Sequence, residues 1–306
     1  MFNRKKVLVT GATGFLGRHL VKKLKSLEYD VSISNTKFGN LNNIDNMKIY
    51  NTIKFDYIFH LAARTKAGDY TLYHKGDQWM NNQLINTNIL CYWKEFQPQA
   101  KMVAFGTSCS YSPEYTNLIE ENYLDGIPDK TLYTYAMTKR MLLVGLKSLS
   151  EQYNLKWVYL IPSTLYGPEF ELDDSHFIFD LVKKIHAGKH KNQDVVLWGD
   201  GYQKRELIYI DDAIDLILSA KDVENEVFNL GTNNEFTIRD YATAICNIVG
   251  YDVSKIIYDT TKYVGVRSKR LNMEKYSNHI KSPEFTPLEL GISKTVNYYS
   301  DKVSNL

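Results

Sequence analysis

The chain has 306 residues, of which 44% are hydrophobic and 24% charged, and its formal net charge is only +2. This length can bury a large core without disulfides, and so balanced a charge gives no reason to expect nucleic acid as a partner. The three cysteines lack metal-ligand spacing and no apolar run reaches membrane-spanning length, so we expect reduced thiols, a cytoplasmic location, no metal and no membrane contact.

The first half of the chain alternates short apolar runs with amphipathic stretches. The apolar runs predict buried strands at 7–10, 30–34, 57–61, 102–106 and 157–161. Helical spacing between them predicts helices over 15–27, 79–96 and 133–153. Strands that are buried on both faces and joined by helices are typical of a parallel sheet. The sequence therefore predicts an α/β fold of the Rossmann type, with a doubly wound parallel sheet.

The regularity decreases after residue 162. The pattern there predicts a helix over about 175–187 and strands at 195–198 and 207–210. We interpret these elements as parts of a smaller C-terminal lobe that is interleaved with the last parts of the sheet. The predicted dinucleotide-binding domain comprises residues 1–164 and about 203–231, and the predicted substrate lobe comprises about 165–202 and 232–306.

Three glycines follow the first predicted strand and open the first predicted helix. Their spacing, G-x-x-G-x-x-G, allows a tight turn, close approach of the backbone to a pyrophosphate, and close packing of the helix. The alternative is a glycine-rich turn without a ligand, but the strand before it and the helix after it favour a dinucleotide site. The predicted cofactor-binding residues of this turn are Gly11, Thr13, Gly14, Phe15, Leu16 and Gly17.

The end of the second predicted strand indicates which dinucleotide binds. An acidic residue there would accept hydrogen bonds from a free ribose 2′-hydroxyl, whereas cations and amides suit a 2′-phosphate. The segment reads Asn35-Thr36-Lys37 and contains no carboxylate. Asn35 and Lys37, with Arg18 as a further candidate, therefore favour NADP(H) over NAD. The alternative for Lys37 is a solvated loop charge.

Tyr135 and Lys139 lie one helical turn apart in the helix predicted over 133–153. A phenol with a reference pKa of about 10 reacts near neutral pH when a neighbouring cation favours its phenolate, and Lys139 supplies that cation. The pair alone is common as a surface contact. Its position after the glycine motif and after the strand that ends at Gly106 favours a catalytic role.

Several segments resemble, in the same order, the extended short-chain dehydrogenases/reductases of the nucleotide-sugar epimerase/dehydratase group. Within that group the chain is most similar to the GDP-L-fucose synthases. The matching segments are residues 10–17, 60–63, 107–111, 165–168 and 205–212, together with Tyr135 and Lys139. The resemblance implies NADPH-dependent reduction at C4 of a nucleotide-linked 4-keto sugar, with epimerisation at C3, C5 or both. It also implies a GDP-linked deoxy sugar or heptose as substrate, and a homodimer that pairs through the helices predicted over 79–96 and 133–153.

The resemblance assigns the chemical steps to five residues. Thr107 and Tyr135 would hold the C4 oxygen, with Lys139 beside the phenol and the nicotinamide ribose. A 4-keto group acidifies the protons on C3 and C5, so epimerisation needs one group to remove a proton and another to return one. Cys109 and His176, with reference pKa values of about 8.5 and 6.5, fit both tasks. The plainer alternatives are a small buried thiol and a helix cap.

The resemblance also implies binding roles for residues outside these motifs. Further predicted cofactor-binding residues are Leu61, Ala62, Ala63 and Ile161. The predicted substrate-binding residues are Ser108, Thr164, Lys184, Trp198, Arg205 and Lys269. The charge run around Lys269 is equally consistent with a solvated surface.

Two departures from the family pattern leave the sugar open. Thr164 stands where the family has asparagine, and the loop 169–174 is shorter and more acidic than in the family. The family's Asn-Ser-His stretch reads Asp174-Ser175-His176 here. Asn82 and Asn88 resemble helix asparagines that support the active-site backbone in the family.

Three other activities and one non-enzymatic role remain open. A C4 reductase of a GDP-, dTDP- or CDP-linked sugar would use the same fold with Cys109 and His176 silent. An NAD-dependent C4 epimerase would usually carry an acidic residue after the second strand, and none is present. A 4,6-dehydratase would need an acid pair where Ser108 and Cys109 stand. An NADP-binding sensor would not need the intact catalytic residues.

Overall fold

The computed structural model describes residues 4–37, 39–65, 73–262 and 266–304. Within these ranges the strands are β1 (Lys6–Thr10), β2 (Asp30–Ser34), β3 (Tyr57–His60), β4 (Lys101–Phe105), β5 (Trp157–Pro162), β6 (Thr164–Tyr166), β7 (Val195–Trp198), β8 (Lys204–Arg205), β9 (Leu207–Tyr209), β10 (Glu226–Leu230), β11 (Phe236–Thr237) and β12 (Ile256–Asp259). Six of them form one sheet in the order β10-β5-β4-β3-β1-β2, and all of its neighbouring strands are parallel. The predicted Rossmann-type fold is confirmed.

The four predicted helices are present, and further helices follow them in the second half of the chain. They are α1 (Phe15–Ser26), α2 (Lys75–Phe96), α3 (Tyr133–Tyr153), α4 (Phe177–Lys191), α5 (Ile210–Ala220), α6 (Ile238–Val249), α7 (Glu274–His279) and α8 (Leu288–Ser304). Helix α2 begins four residues before its predicted start at residue 79. Helix α4 begins two residues late, because His176 has extended backbone angles and forms the N-cap.

Strands β1, β3, β4 and β5 are largely apolar because both faces of the sheet are covered there, whereas the edge strand β2 is only partly buried and alternates polar with apolar residues. Alternate residues of β1 enter different hydrophobic clusters: Val7 and Val9 pack with α1 and α5, whereas Leu8 packs with α2 and α3. All three side chains are fully buried. This alternation produces the doubly wound arrangement and brings the carboxyl ends of the strands to one edge of the sheet.

Three small sheets follow in the second half of the chain. Strands β6 and β9 pair in parallel, β7 and β12 pair in parallel, and β8 and β11 pair antiparallel. Strand β10 returns to the large sheet beside β5. The division into two lobes stays a prediction from the sequence. In the described part of the chain, no helix has both the length and the apolar character needed to cross a bilayer.

Candidate active site

A cavity of about 990 Å³ lies at the carboxyl edge of the large sheet. Residues that follow β1, β3, β4 and β5 line it, and the start of α3 and the segment before α4 complete its wall. Open α/β sheets bind ligands at this edge. Of the predicted site residues, those lining the cavity are Gly11, Thr13, Gly14, Phe15, Leu16, Gly17, Asn35, Leu61, Ala62, Ala63, Thr107, Ser108, Cys109, Tyr135, Lys139, Thr164 and His176.

The glycine turn closes the cavity at the start of α1. Gly11 has φ +67°, and a Cβ there would lie 2.7 Å from the Ala62 backbone nitrogen. A Cβ on Gly17 would lie only 2.2 Å from the Gly11 carbonyl oxygen. No side chain caps α1, and its first turn carries no acidic residue. The N-terminal N–H groups of the helix therefore remain suitable for an anion.

The segment after β2 presents amides and hydroxyls to the cavity. Asn35 and Thr36 line it, whereas Lys37 is exposed and lies outside the lining. Arg18 is committed elsewhere: its guanidinium donates to the Thr13 carbonyl oxygen at 2.7 Å, to Glu171 Oε1 at 2.5 Å and to the Glu169 carbonyl oxygen. The acidic loop that the sequence shows after Pro168 thus binds Arg18 behind the glycine turn.

The turn after β4 and helix α3 form one wall of the cavity. Ser110 Oγ donates to the Ala136 carbonyl oxygen at 3.1 Å, and Arg140 Nη2 donates to the Ser110 carbonyl oxygen at 2.6 Å. These bonds fix the turn that carries Thr107 and Cys109 beside Tyr135, in the first turn of α3.

Burial decides the protonation states of the catalytic pair. Desolvation, together with the nearby Cys109, raises the pKa of Tyr135, and desolvation lowers the pKa of Lys139 to about 8. The sequence predicted that Lys139 would lower the Tyr135 pKa. In the structure desolvation prevails: Lys139 is buried, and Tyr135 is partly buried in the cavity wall. Tyr135 is therefore a protonated phenol, suited to donate a proton.

A chain of buried hydrogen bonds connects the end of β1 to α3. His60 Nδ1 lies 2.9 Å from Thr10 Oγ1, and His60 Nε2 lies 3.1 Å from Asn86 Oδ1. Asn86 Nδ2 donates to the Thr138 carbonyl oxygen at 3.2 Å. Burial and the Lys139 charge lower the pKa of His60 to about 3. A neutral His60 therefore links the end of β1 to the catalytic helix, a role that sequence analysis missed.

Cys109 lies beside two cations from the second half of the chain. Burial alone would raise the pKa of this thiol, but the charge and hydrogen bond of Lys269, a hydrogen bond with Thr107 and the charge of Arg205 together bring it below its ordinary value. Lys269 was predicted to bind substrate, and that role stays a prediction; in the structure its charge acts on the proposed base. Sequence spacing could not reveal this contact.

Backbone tethers hold the segment that carries Lys269. Glu206 Oε2 accepts the Leu271 N–H at 2.8 Å, and Glu235 Oε2 accepts the Lys269 N–H at 3.2 Å. The Lys204 N–H donates to the Arg267 carbonyl oxygen at 2.8 Å. The family-like segment 205–212 thus contributes a carboxylate that positions residues 269–271.

His176 meets the cavity on the side of α4. Its Nδ1 lies 2.6 Å from Asp174 Oδ1, which also accepts the His176 N–H at 2.9 Å. Lys183 Nζ donates to the Asp174 carbonyl oxygen at 2.5 Å. Asp174 itself lines the cavity. The loop therefore holds the imidazole through a carboxylate that sequence analysis did not assign.

The remaining predicted binding residues do not line the cavity. Lys184 pairs with Asp180 at 2.9 Å, Arg205 donates to the Val266 carbonyl oxygen at 2.8 Å, and Trp198 is 58% exposed. Ile161 is fully buried within β5. Binding of the nucleotide end by Lys184, Trp198 and Arg205 stays a prediction.

One polar group of the lining lacks a partner, and two asparagines near the cavity support backbone segments. Ser163 is 7% exposed and lines the cavity, and its Oγ has no hydrogen-bond partner among the described residues. Asn82 Oδ1 accepts the Arg64 N–H at 2.8 Å, and Asn88 Nδ2 donates to the Leu41 carbonyl oxygen at 2.7 Å.

Within the described ranges, no group of three or more His, Cys, Asp or Glu could hold a metal ion.

Comparisons with known proteins agree with this architecture. The family model described as "NAD dependent epimerase/dehydratase family" matches residues 7–231. The GDP-L-fucose synthase of Dictyostelium discoideum is 28% identical, covering 98% of this chain and 96% of that protein. A GDP-L-fucose synthetase of Naegleria fowleri, solved with NADP, has a TM-score of 0.88 at 23% identity over 99% of this chain and 95% of that chain. A GDP-6-OMe-4-keto-L-xylo-heptose reductase from C. jejuni has a TM-score of 0.86 at 21% identity over 99% of both chains.

Proposed function

The chain belongs to the NAD dependent epimerase/dehydratase family, and on that basis we propose that it reduces C4 of a GDP-linked 4-keto sugar with NADPH and epimerises C3, C5 or both. The observation that carries the proposal is the wall on which Thr107, Tyr135, Lys139 and Cys109 meet in one cavity. The names of the relatives, which include a GDP-L-fucose synthase and a GDP-linked keto-heptose reductase, support the substrate class.

The cavity fits a dinucleotide. The glycine turn lines the cavity at the uncapped start of α1, where free N–H groups can receive a pyrophosphate, and the missing side chains of Gly11 and Gly17 let the turn pack tightly against neighbouring backbone. Asn35 and Thr36 offer neutral donors, and no carboxylate follows β2 to repel a 2′-phosphate. We therefore propose NADP(H) rather than NAD, and the nicotinamide supplies the hydride for C4 when it is bound.

Tyr135 donates the proton that the reduction requires. A carbonyl that accepts hydride at C4 becomes an alkoxide and needs one proton on its oxygen. Desolvation raises the pKa of Tyr135 and so keeps its phenol protonated, and the Thr107 hydroxyl lines the same wall to bind that oxygen. Lys139 lies one turn further along α3 and binds the cofactor ribose beside them.

Cys109 removes the proton in the epimerisation, and His176 returns one on the opposite face. The neighbouring Lys269 favours the Cys109 thiolate, which is the form that accepts a proton. A reductase without epimerisation is the second candidate, supported by Thr164 in place of the family's asparagine and by the heptose reductase among the relatives.

The three free cysteines support a cytoplasmic enzyme.

Heavy water distinguishes these activities. The protein is incubated in heavy water with NADPH and a panel of GDP-, dTDP- and CDP-linked 4-keto sugars, and deuterium at C3 and C5 is measured by mass spectrometry and NMR. We expect NADPH oxidation with a GDP-linked sugar, together with deuterium at C3, C5 or both. Oxidation without deuterium would leave the reductase, and no oxidation with any sugar would favour the sensor.

Two variants test the assignment of the base. Cys109→Ser should abolish deuterium exchange while it preserves reduction of a substrate that is already epimerised. Cys91→Ser, which changes another free and partly buried cysteine on α2, is the matched control. Normal exchange by Cys109→Ser would refute the base assignment.

A homodimer is part of the proposal. Helices α2 and α3 expose several large apolar side chains, including Trp79 at 50%, Met80 at 56% and Met141 at 46%. A groove of about 420 Å³ lies between the two helices, and Trp79 and Met141 line it. We expect light scattering to report a dimer for the wild type and a monomer for Met141→Glu. Tyr202→Glu, at an exposed position elsewhere, is the control, and a monomeric wild type would contradict the proposal.

A further inference from the structure

Asp174 makes two contacts with His176 through a single oxygen. Its Oδ1 accepts the His176 backbone N–H at 2.9 Å and lies 2.6 Å from the ring Nδ1. The Asp174 side chain is only 18% exposed, whereas the His176 side chain is 49% exposed. The carboxylate is therefore more buried than the imidazole ring that it contacts.

The loop that carries Asp174 is held at both ends. Lys183 Nζ donates to the carbonyl oxygens of Leu172 and Asp174, at 3.3 and 2.5 Å. At the other end, Arg18 on α1 binds Glu171. The position of the carboxylate is thus fixed by two helices, independently of His176.

A carboxylate that contacts Nδ1 determines which ring nitrogen carries the proton. An ionised carboxylate only accepts hydrogen bonds, so the 2.6 Å contact requires a proton on Nδ1. Hydrogen bonds from His176 and the Lys183 charge outweigh burial and lower the pKa of Asp174, which keeps it ionised. Nδ1 keeps this proton throughout, so Nε2 is the nitrogen that gains and releases one: the imidazolium donates its Nε2 proton to a ligand in the cavity and is left neutral with a bare Nε2.

We infer that Asp174 is a positioning residue that fixes the Nδ1–H tautomer of His176 and so makes Nε2 the nitrogen that exchanges protons with the sugar. The tautomer is a property of the protein alone, whereas its use in proton transfer rests on the proposed function. A purely structural role, in which Asp174 only shapes the start of α4, is the competing explanation, because Oδ1 also accepts the backbone N–H.

Two substitutions separate these roles. Asp174→Asn keeps a side-chain oxygen that accepts from both the His176 N–H and Nδ1–H. Asp174→Ser keeps an oxygen for the backbone N–H, but its hydroxyl can donate to Nδ1 and so permits a proton on Nε2. A structural role predicts the same behaviour for both variants, whereas the inferred role predicts that only Asn substitutes for Asp.

The first readout is spectroscopic and uses the protein without any sugar. The protein is labelled with ¹⁵N-histidine, the His176 signals are assigned with His176→Gln, and spectra are recorded at a pH where the ring is neutral. We expect the proton on Nδ1 in the wild type and in Asp174→Asn, and a shift towards Nε2–H in Asp174→Ser. A wild-type proton on Nε2, or an unchanged tautomer in Asp174→Ser, would overturn the inference.

The second readout is deuterium exchange into the sugar. We expect Asp174→Ser to exchange about tenfold more slowly or worse, since the Nε2–H tautomer occupies the nitrogen that must gain and release the proton. Asp174→Asn should stay close to the wild type, and reduction of an already epimerised substrate should be preserved in both. Equal exchange by both variants would refute the role in proton transfer. If the wild type incorporates deuterium into none of the tested sugars, the proposed function fails, while the result on the tautomer stands.

Discussion

The buried carboxyl of Glu206 leads to a prediction about stability and pH. Glu206 is 3% exposed, and its oxygens accept the N–H groups of Thr232, Asn233 and Leu271, each at 2.8 Å. Burial nevertheless raises its pKa from 4.5 to about 7, because desolvation outweighs these three bonds. The folded state therefore binds more protons than the unfolded state, and stability falls as the pH rises through the window from 4.5 to about 7.

The magnitude follows from the two pKa values. One pKa unit corresponds to about 1.4 kcal/mol, so this carboxyl makes the folded state about 3 kcal/mol less stable above pH 7 than it would be with an unshifted pKa. Between about pH 5.5 and about pH 8.5, the change is about 2 kcal/mol. Glu206→Gln removes this pH dependence. Its amide nitrogen faces the Leu271 N–H, which costs about 1–3 kcal/mol at every pH.

Urea unfolding of the two proteins at both pH values measures the effect. We expect the stability of Glu206→Gln relative to the wild type to rise by about 2 kcal/mol from the lower to the higher pH. Comparing the two proteins removes the contribution of other titrating groups. Glu235→Gln is the control, because it weakens the bond from the Lys269 N–H that holds the same segment. A relative stability that stays constant or falls would show that the three N–H groups outweigh burial, and would refute the reasoning.

Three further predictions concern the site. Lys269→Met should slow alkylation of the Cys109 thiol by iodoacetamide at neutral pH and move its pH profile upward, because the cation that favours the thiolate is lost; an unchanged profile would exclude Lys269 as the cause. Tyr135→Phe should lower the rate of NADPH oxidation by about 10²-fold or more, because the proton donor is removed. Fluorescence titration should show that NADPH still binds, and a normal oxidation rate would assign the proton to another group. Gly17→Ala puts a methyl group 2.2 Å from the Gly11 carbonyl oxygen, so we expect weaker NADPH binding and a lower Tm, and unchanged values of both would contradict the close packing.

Local patterns in the sequence were sufficient for the fold. The apolar runs that form β1, β3, β4 and β5 are buried on both faces, so their composition identifies a parallel sheet, whereas the edge strand β2 is only partly buried. The glycine turn was equally readable, because Gly11 and Gly17 meet backbone atoms that leave no space for a side chain.

Contacts between distant segments were not readable from the sequence. No local pattern indicated that the tethers from Glu206 and Glu235 bring Lys269 near Cys109, and its predicted substrate contact stays a prediction. The raised pKa of Tyr135 was also not readable from the sequence, because the desolvation that causes it emerges only when the helices pack. The contact of Asp174 with His176 spans two residues, and the spacing Asp-x-His was a signal that could have indicated it.

The contact between Lys269 and Cys109 joins segments that lie far apart in the chain. The cysteine follows a strand of the large sheet, whereas the lysine belongs to a segment tethered by the later strands. The reactivity of the Cys109 thiol therefore depends on the tertiary structure. The rate at which a thiol-specific reagent modifies it would report whether the C-terminal third of the molecule has packed against the large sheet, even with no sugar in the cavity.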